Sequence, residues 1–351
     1  MRKRNLLLQC LVTALLLMIG CNEESNQLQG QEPQGQEIDL SEIDYSIKGD
    51  GSHKVISYLR QNLIIENLND RYYDNHSHII LFLSNTKVDA DGHIEVTEEV
   101  DRILTEAVRL RGDRDTKLML GFPGGNDFFV PLSNDAVHLD NYLNDIKSMA
   151  IKYGLDGVDI DWEHPEAPDQ QKAAGVFAKR AFEILKPEGL ILSQAIIWYN
   201  LGHMNATIEY LDFINVMIYD NFTDEYYHSP YSQFTGYVDN LLAKGIPKEK
   251  FVAGLPFYGY TTKKEWADKK SYRYAHILES LNAPVGADEV LNEQGETVSF
   301  DGVLKIWKKC AYALEKDLGG VMIWESHMDI QDYTSNKSLL RHVNSVFPIN
   351  N

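Results

Sequence analysis

Cysteine is scarce in this sequence, with only Cys10, Cys21 and Cys310. Cys10 and Cys21 lie in or at the end of an N-terminal leader. A domain left with Cys310 alone has no intrachain disulfide to hold it. Positive charge is also short: 33 Lys and Arg face 52 Asp and Glu, a formal net charge of −19. Phosphate backbones need clustered cations, so nucleic acid is excluded as a partner. An acidic surface suits a soluble protein that handles neutral substrates such as uncharged sugars. The 11 histidines show no ligand spacing, and neither a metal nor a cofactor is expected. No glycine-rich phosphate loop follows the first apolar run, as a nucleotide-binding open sheet would usually need.

Long apolar runs are missing as well. The longest, Leu11–Ile19, follows the basic head Arg2-Lys3-Arg4 and is too short to span a bilayer comfortably. It reads as the core of a signal peptide. It ends in Met18-Ile19-Gly20-Cys21, which resembles a bacterial lipobox whose cysteine receives lipid after cleavage. Residues 1–20 are therefore expected to be a lipoprotein-type signal peptide. Their removal would take the formal charge from −19 to −22. Residues 21–50, rich in Gln, Glu, Gly and Ser, read as the lipidated Cys21 and a flexible tether. Residues 51–351 form one catalytic domain. The expected location is the bacterial cell envelope, at the outer membrane or cell surface, with membrane contact through the lipid alone.

With 44% hydrophobic residues the chain can bury a sizeable core. Eight short apolar runs punctuate it: Lys54–Tyr58, His78–Leu83, Lys117–Gly121, Leu155–Asp161, Leu190–Ala195, Phe213–Tyr219, Phe251–Leu255 and Gly319–Trp324. Between them apolar residues recur at helical spacing. Leu139, Tyr142, Leu143, Ile146, Met149, Ala150 and Tyr153 form one such stripe, stopped by Gly154. Another helix carries Val303 to Leu314 and ends at Gly319-Gly320. Strand–helix alternation with near-continuous apolar strands means a parallel sheet covered by helices. Eight units fit an α/β fold of the (β/α)8 TIM barrel type better than an open doubly wound sheet.

Barrel enzymes place their chemistry at the C-terminal ends of the strands. The fourth run reads Leu155-Asp156-Gly157-Val158-Asp159-Ile160-Asp161-Trp162-Glu163. Side chains alternate faces, so Asp159, Asp161 and Glu163 share one face while Val158, Ile160 and Trp162 share the other. The apolar set must meet the helices, which turns three acids into the barrel. Like charges and poor solvation raise their pKa values, so some stay protonated. Glu163, last and longest, is best placed to reach a substrate oxygen.

Asp156, Asp159, Asp161 and Glu163 match D-x-x-D-x-D-x-E, and the chain resembles glycoside hydrolase family 18, the chitinases and their relatives. Trp162 and Pro165 are similar to the chitinase version of the motif. Met217-Ile218-Tyr219-Asp220, Gly254–Gly259 and Gly319–Glu325 match the family's sixth-, seventh- and eighth-strand motifs. The resemblance implies retaining, substrate-assisted hydrolysis of β-1,4 bonds in N-acetylglucosamine-containing glycans, chitin or chito-oligosaccharides. Glu163 would be general acid and base, Asp161 would hold the acetamido N–H, and Asp159 would support Asp161. Tyr219 would bind the acetamido oxygen, and Trp324 would floor the sugar site. Asp220, Met217 and Tyr58 would help bind substrate, although Tyr58 could equally be core; Trp324 could be core too, yet at the C-terminal end of a barrel strand it is well placed to stack on a pyranose face. Asp156, Gly124 and Gly125 would be structural. Phe122 stands where the family usually has a serine that helps hold the buried acids. The segment Thr261–Phe300 looks too short for the full α+β insertion of some relatives, which implies a shallower groove. Two other readings stay open: an endo-β-N-acetylglucosaminidase acting on N-glycan cores, and a sugar-binding barrel without catalysis.

Overall fold

The computed structural model describes residues 40–350. The expected signal peptide, Cys21 and most of the expected tether lie outside the described residues. Packing begins ahead of residue 51, however. Leu40–Glu42 forms a turn of 3-10 helix, Ile43 is buried in the core, and Glu42 pairs with Lys308 at 2.6 Å. Residues 40–50 thus lie on the domain and are not tether.

Eight parallel strands close on themselves: Lys54–Arg60, His78–Phe82, Lys117–Gly124, Gly157–Trp162, Ile191–Ile197, Phe213–Met217, Phe251–Pro256 and Gly320–Trp324. Each pairs with its sequence neighbours, and the first pairs with the last through Lys54–Gly320 to Ser57–Ile323. The register turns alternate residues of adjacent strands to the same side. Ile56, Met119 and Met322 face inward with the acids, and Val158, Leu120 and Ile323 face the helices. The barrel is therefore an α/β TIM barrel with helices between its strands.

Local chemistry sets the helix limits. The helix Ala136–Tyr153 starts where the Asp135 carboxylate accepts the Val137 and His138 N–H groups, and it ends where Gly154 turns left-handed at φ 67°. Its whole predicted apolar stripe is buried. The helix Val303–Glu315 ends earlier than Gly319, because Asp317 takes the left-handed turn at φ 55°. The chain ends of the domain meet: the Gly49 N–H donates to the Val346 carbonyl at 2.7 Å, and the Asn350 amide donates to the Asp50 carbonyl at 3.2 Å.

The segment after the seventh strand departs from the sequence reading. It folds as an α+β unit of four antiparallel strands, Tyr258–Thr261, Ser271–Arg273, Glu289–Leu291 and Thr297–Ser299, with the helix Tyr274–Glu279. Tyr274, Ile277, Val298 and Phe300 give it a core. It stands over the strand ends and walls one side of the cavity described next, where an open groove had been the expectation.

Candidate active site

The fourth strand performs the division its sequence pattern requires. On the outer face the Trp162 ring stacks on Phe129 at 4.9 Å and meets Phe177 edge-on at 6.3 Å. On the inner face Asp159 sits opposite Gly121 and Ser193, and Asp161 opposite Pro123. Just past the strand, the Glu163 N–H donates to the Gly124 carbonyl at 3.1 Å. Gly124 must stay bare, since a Cβ there would come within 2.6 Å of Phe129. Gly125 caps the helix Asn126–Asn134. From that helix Asn126 accepts the Trp162 Nε1–H at 2.9 Å and donates to the His164 carbonyl at 2.8 Å. The third-strand loop thereby latches the end of the fourth strand and fixes the backbone from which Glu163 projects.

The three acids occupy graded environments. Asp159 is fully buried and saturated: it accepts from the hydroxyls of Tyr58 at 2.7 Å and Ser193 at 2.5 Å, and from the Asn215 amide at 3.1 Å. Burial lifts its pKa to about 6, while these three hydrogen bonds hold it from rising further. Asp161 is 4% exposed, and its Oδ1 is buried without a hydrogen-bond partner among the described residues. Burial, then the charges of Glu163 and Asp159, push it well above the ordinary carboxylate range. Glu163 is less enclosed. Burial raises its pKa, and the neighbouring His164 opposes that rise. Adjacent acids of this kind titrate together and not one by one.

Above the row lies a cavity of about 370 Å³. Asp161 and Glu163 form one part of its lining, with Met217, Tyr219, Asp220 and Trp324 around them. Tyr219 is 5% exposed, and burial and the nearby carboxylates raise its pKa, so it remains a hydroxyl donor. Among the described residues its hydroxyl has one hydrogen-bond partner, the Met322 sulfur at 3.9 Å. Trp324 ends the eighth strand with its ring against Tyr58 at 5.5 Å and Phe82 at 5.3 Å. Asp220 adopts φ 55° and is held from two sides. Tyr258 Oη donates to its carboxylate at 2.8 Å, and its own N–H donates to Nε2 of the buried His228 at 3.1 Å. The loop beyond is fastened by Lys309, a buried cation that donates to the Ser229 carbonyl at 2.7 Å and pairs with Asp301 at 2.5 Å.

Two sequence readings change here. Tyr58 does not line the cavity. It lies beneath, 1% exposed, because its hydroxyl is drawn to Asp159 and the Asn215 amide donates to it at 2.9 Å. Phe122 does not unsettle the acids, because its register with Ile160 points it outward against Tyr142. Ser193 on the fifth strand supplies a hydroxyl to Asp159. Asp156 also faces outward and accepts from Arg111 at 2.7 Å and from the Leu118 N–H at 2.9 Å, tying strands to a helix.

Ser193 and Asn215 escaped the sequence reading, though each left a trace: a polar residue at an inward position of an apolar run. Arg60, Tyr258, Tyr260 and Arg273 also reach the cavity and carried no such signal. Among the described residues no group of three or more His, Cys, Asp and Glu side chains is placed to hold a metal ion.

A parallel barrel with a buried acid row rising to an aromatic-walled cavity at its C-terminal mouth has the makings of a glycoside hydrolase. Residues 54–329 match glycosyl hydrolases family 18, and the chain belongs to that family. It is 24% identical over 259 residues to a probable chitinase 2 of Drosophila melanogaster, an alignment covering 56% of this chain and 52% of that one. The chain thus spans about half of that relative's length. In fold it is similar to a chitinase from Bacteroides thetaiotaomicron, with a TM-score of 0.70 and 24% identity over 84% of this chain and 96% of the other. It is also similar to a plant class V chitinase mutant from Cycas revoluta in complex with (GlcNAc)3. There the TM-score is 0.67 and the identity 20%, over 83% and 98% of the two chains.

Proposed function

We propose that this hydrolase cleaves β-1,4 bonds in N-acetylglucosamine-containing glycans, chitin or chito-oligosaccharides, with retention and with the substrate's own acetamido group as nucleophile. The observation that carries this reading is Asp161. A buried carboxylate oxygen at the cavity, without a partner, costs free energy unless something arrives to satisfy it. A 2-acetamido N–H is such a group.

Family 18 belongs to the substrate-assisted exceptions among retaining glycosidases. Glu163, whose pKa burial raises, gives its proton to the glycosidic oxygen as the C1–O bond breaks. The acetamido carbonyl oxygen closes on C1 and forms an oxazolinium ion. Asp161 accepts the acetamido N–H and balances the positive charge, while the Tyr219 hydroxyl donates to the acetamido oxygen. Asp159 stabilises the row from below. Water then attacks C1, the ring opens, and the Glu163 carboxylate takes the water proton. Trp324 offers its face to the pyranose. A barrel that only binds sugar has no use for Glu163, Asp161 and Tyr219 around one cavity.

The test is dependence on the acetamido group. On matched aryl glycosides, oligomers of N-acetylglucosamine should turn over, and those with a 2-hydroxyl at the cleaved sugar should not. A thiazoline resembling the cyclised intermediate should bind more tightly than substrate. Comparable rates on both glycosides would assign the nucleophile to a protein carboxylate and overturn the reading.

For location we propose cleavage before Cys21 and anchoring through its lipid in a bacterial cell envelope. The support is the sequence of residues 1–21.

A further inference from the structure

Among the cavity residues that have no part in the hydrolysis scheme, two are arginines. Arg60 leaves the C-terminal end of the first strand. Its Nε lies 2.5 Å from Oε1 of Glu325, and its backbone N–H donates to Oε2 of the same side chain at 3.0 Å. Glu325 is fully buried, with His327 Nδ1 at 3.5 Å. A buried carboxylate is costly unless paired, and breaking such a pair is more costly still. The pairing therefore fixes the guanidinium at the cavity wall, where the Arg60 side chain is 34% exposed. Among the described residues no hydrogen bond uses its Nη1 or Nη2.

Arg273 ends a strand of the α+β unit, in register with Tyr258. It is exposed, lines the same cavity, and its side chain makes no hydrogen bond or ion pair among the described residues. Elsewhere Arg109, Arg111, Arg114 and Arg180 each hold a carboxylate at 2.5 to 2.7 Å. Besides burial, Asp161 is shifted by the charges of Glu163 and Asp159, and Glu163 by that of His164.

A neutral sugar hydroxyl is served equally well by an amide or a carboxylate. Two guanidinium forks with free N–H edges match a planar or tetrahedral oxyanion, by charge and by paired hydrogen bonds. They also set two cations on the wall of a cavity whose carboxylates, Asp161, Glu163 and Asp220, on a chain of net charge −19, would otherwise repel an anion. We propose that the preferred glycan bears an anionic group, a carboxylate or a sulfate ester, on a sugar bound beside the cleavage point, and that Arg60 and Arg273 receive it. The proposal rests on the hydrolase reading above and narrows its substrate class.

Binding to the Glu163→Gln protein tests this apart from turnover. Calorimetry would compare three N-acetylglucosamine pentamers: unsubstituted, oxidised to the 6-carboxylate, and 6-O-sulfated. At low salt at least one anionic pentamer should bind about 10-fold or more tightly than the neutral one, and which one identifies the group. Adding Arg273→Gln should collapse that ratio. Adding Arg60→Lys, which keeps a cation for Glu325 but loses the fork, should reduce it, and so should 0.5 M salt. Equal or weaker binding of both anionic pentamers would overturn the proposal. If acetamido-dependent hydrolysis of the neutral oligomer survived that result, the chitinase-type reading would stand. If acetamido dependence failed, that reading would fall whatever the pentamers showed.

Discussion

At the scale of the residue, the decisive contrast is between a saturated carboxylate and two unsaturated ones. Glu163 is the only acid of the row placed past the strand end, where it neighbours Asp161 and faces the open cavity. Glu163→Gln keeps its shape and hydrogen-bonding capacity but not the proton. Hydrolysis should fall roughly 100- to 10,000-fold with sugar binding retained, as read by steady-state kinetics and calorimetry side by side. Activity near wild type would remove Glu163 from the mechanism. Asp159 gives a prediction about pH. Its pKa rises from about 3.8 unfolded to about 6 folded, so the native state holds the proton more firmly. Its contribution to stability is full below about pH 4 and is lost as pH rises through about 6. Asp159→Asn cannot titrate. The stability difference, variant minus wild type, should climb between pH 4 and pH 7 by on the order of 3 kcal/mol. A flat difference in denaturant melts would contradict it. The acid row was legible in the sequence because parity along a strand is fixed by geometry. The groups that hold Asp159 were not, since Ser193 and Asn215 lie on other strands and pairing register is invisible in one chain of letters.

At the scale of the element, the sixth and seventh strands are held at a spacing that only glycine permits. A Cβ on Gly254 would lie 2.7 Å from the Val216 carbonyl and 2.8 Å from the Tyr219 ring. Gly254→Ala must therefore displace Tyr219 or the sixth strand that carries it. Turnover should drop by about 100-fold with the far-ultraviolet circular dichroism unchanged, since small misplacements of positioning groups cost that much. Unaltered kcat would mean that the Tyr219 hydroxyl acts from no fixed place. The barrel strands could be read from the sequence because each is a buried apolar run with a helix after it. The α+β unit could not. Three of its four strands are three residues long with partly exposed patterns, such as Ser271–Arg273, and Trp266 and Leu291 are apolar yet exposed. Such segments carry neither a period nor a continuous run, so Tyr260 and Arg273 came to the cavity unannounced.

At the scale of the whole molecule, the proposed anchor rests on one atom, the Cys21 sulfur. Cys21→Ser should shift the protein from the membrane fraction to the soluble one, since several acyl chains hold firmly and none remain. Complete retention with membranes after sodium carbonate washing would refute the anchor. The closure of the barrel has a different consequence. Gly49 reaches Val346, Asp50 reaches Asn350, and the first strand lies in register against the eighth. A ring of repeating units whose two ends touch has no privileged starting point. The same circle of strands can be entered elsewhere, for instance at Gly112-Asp113 after the helix Glu98–Arg111, once the present ends are spliced by a short linker. A circularly permuted chain of that kind would carry its acid row, its loop clamp and its arginines unchanged around the same mouth.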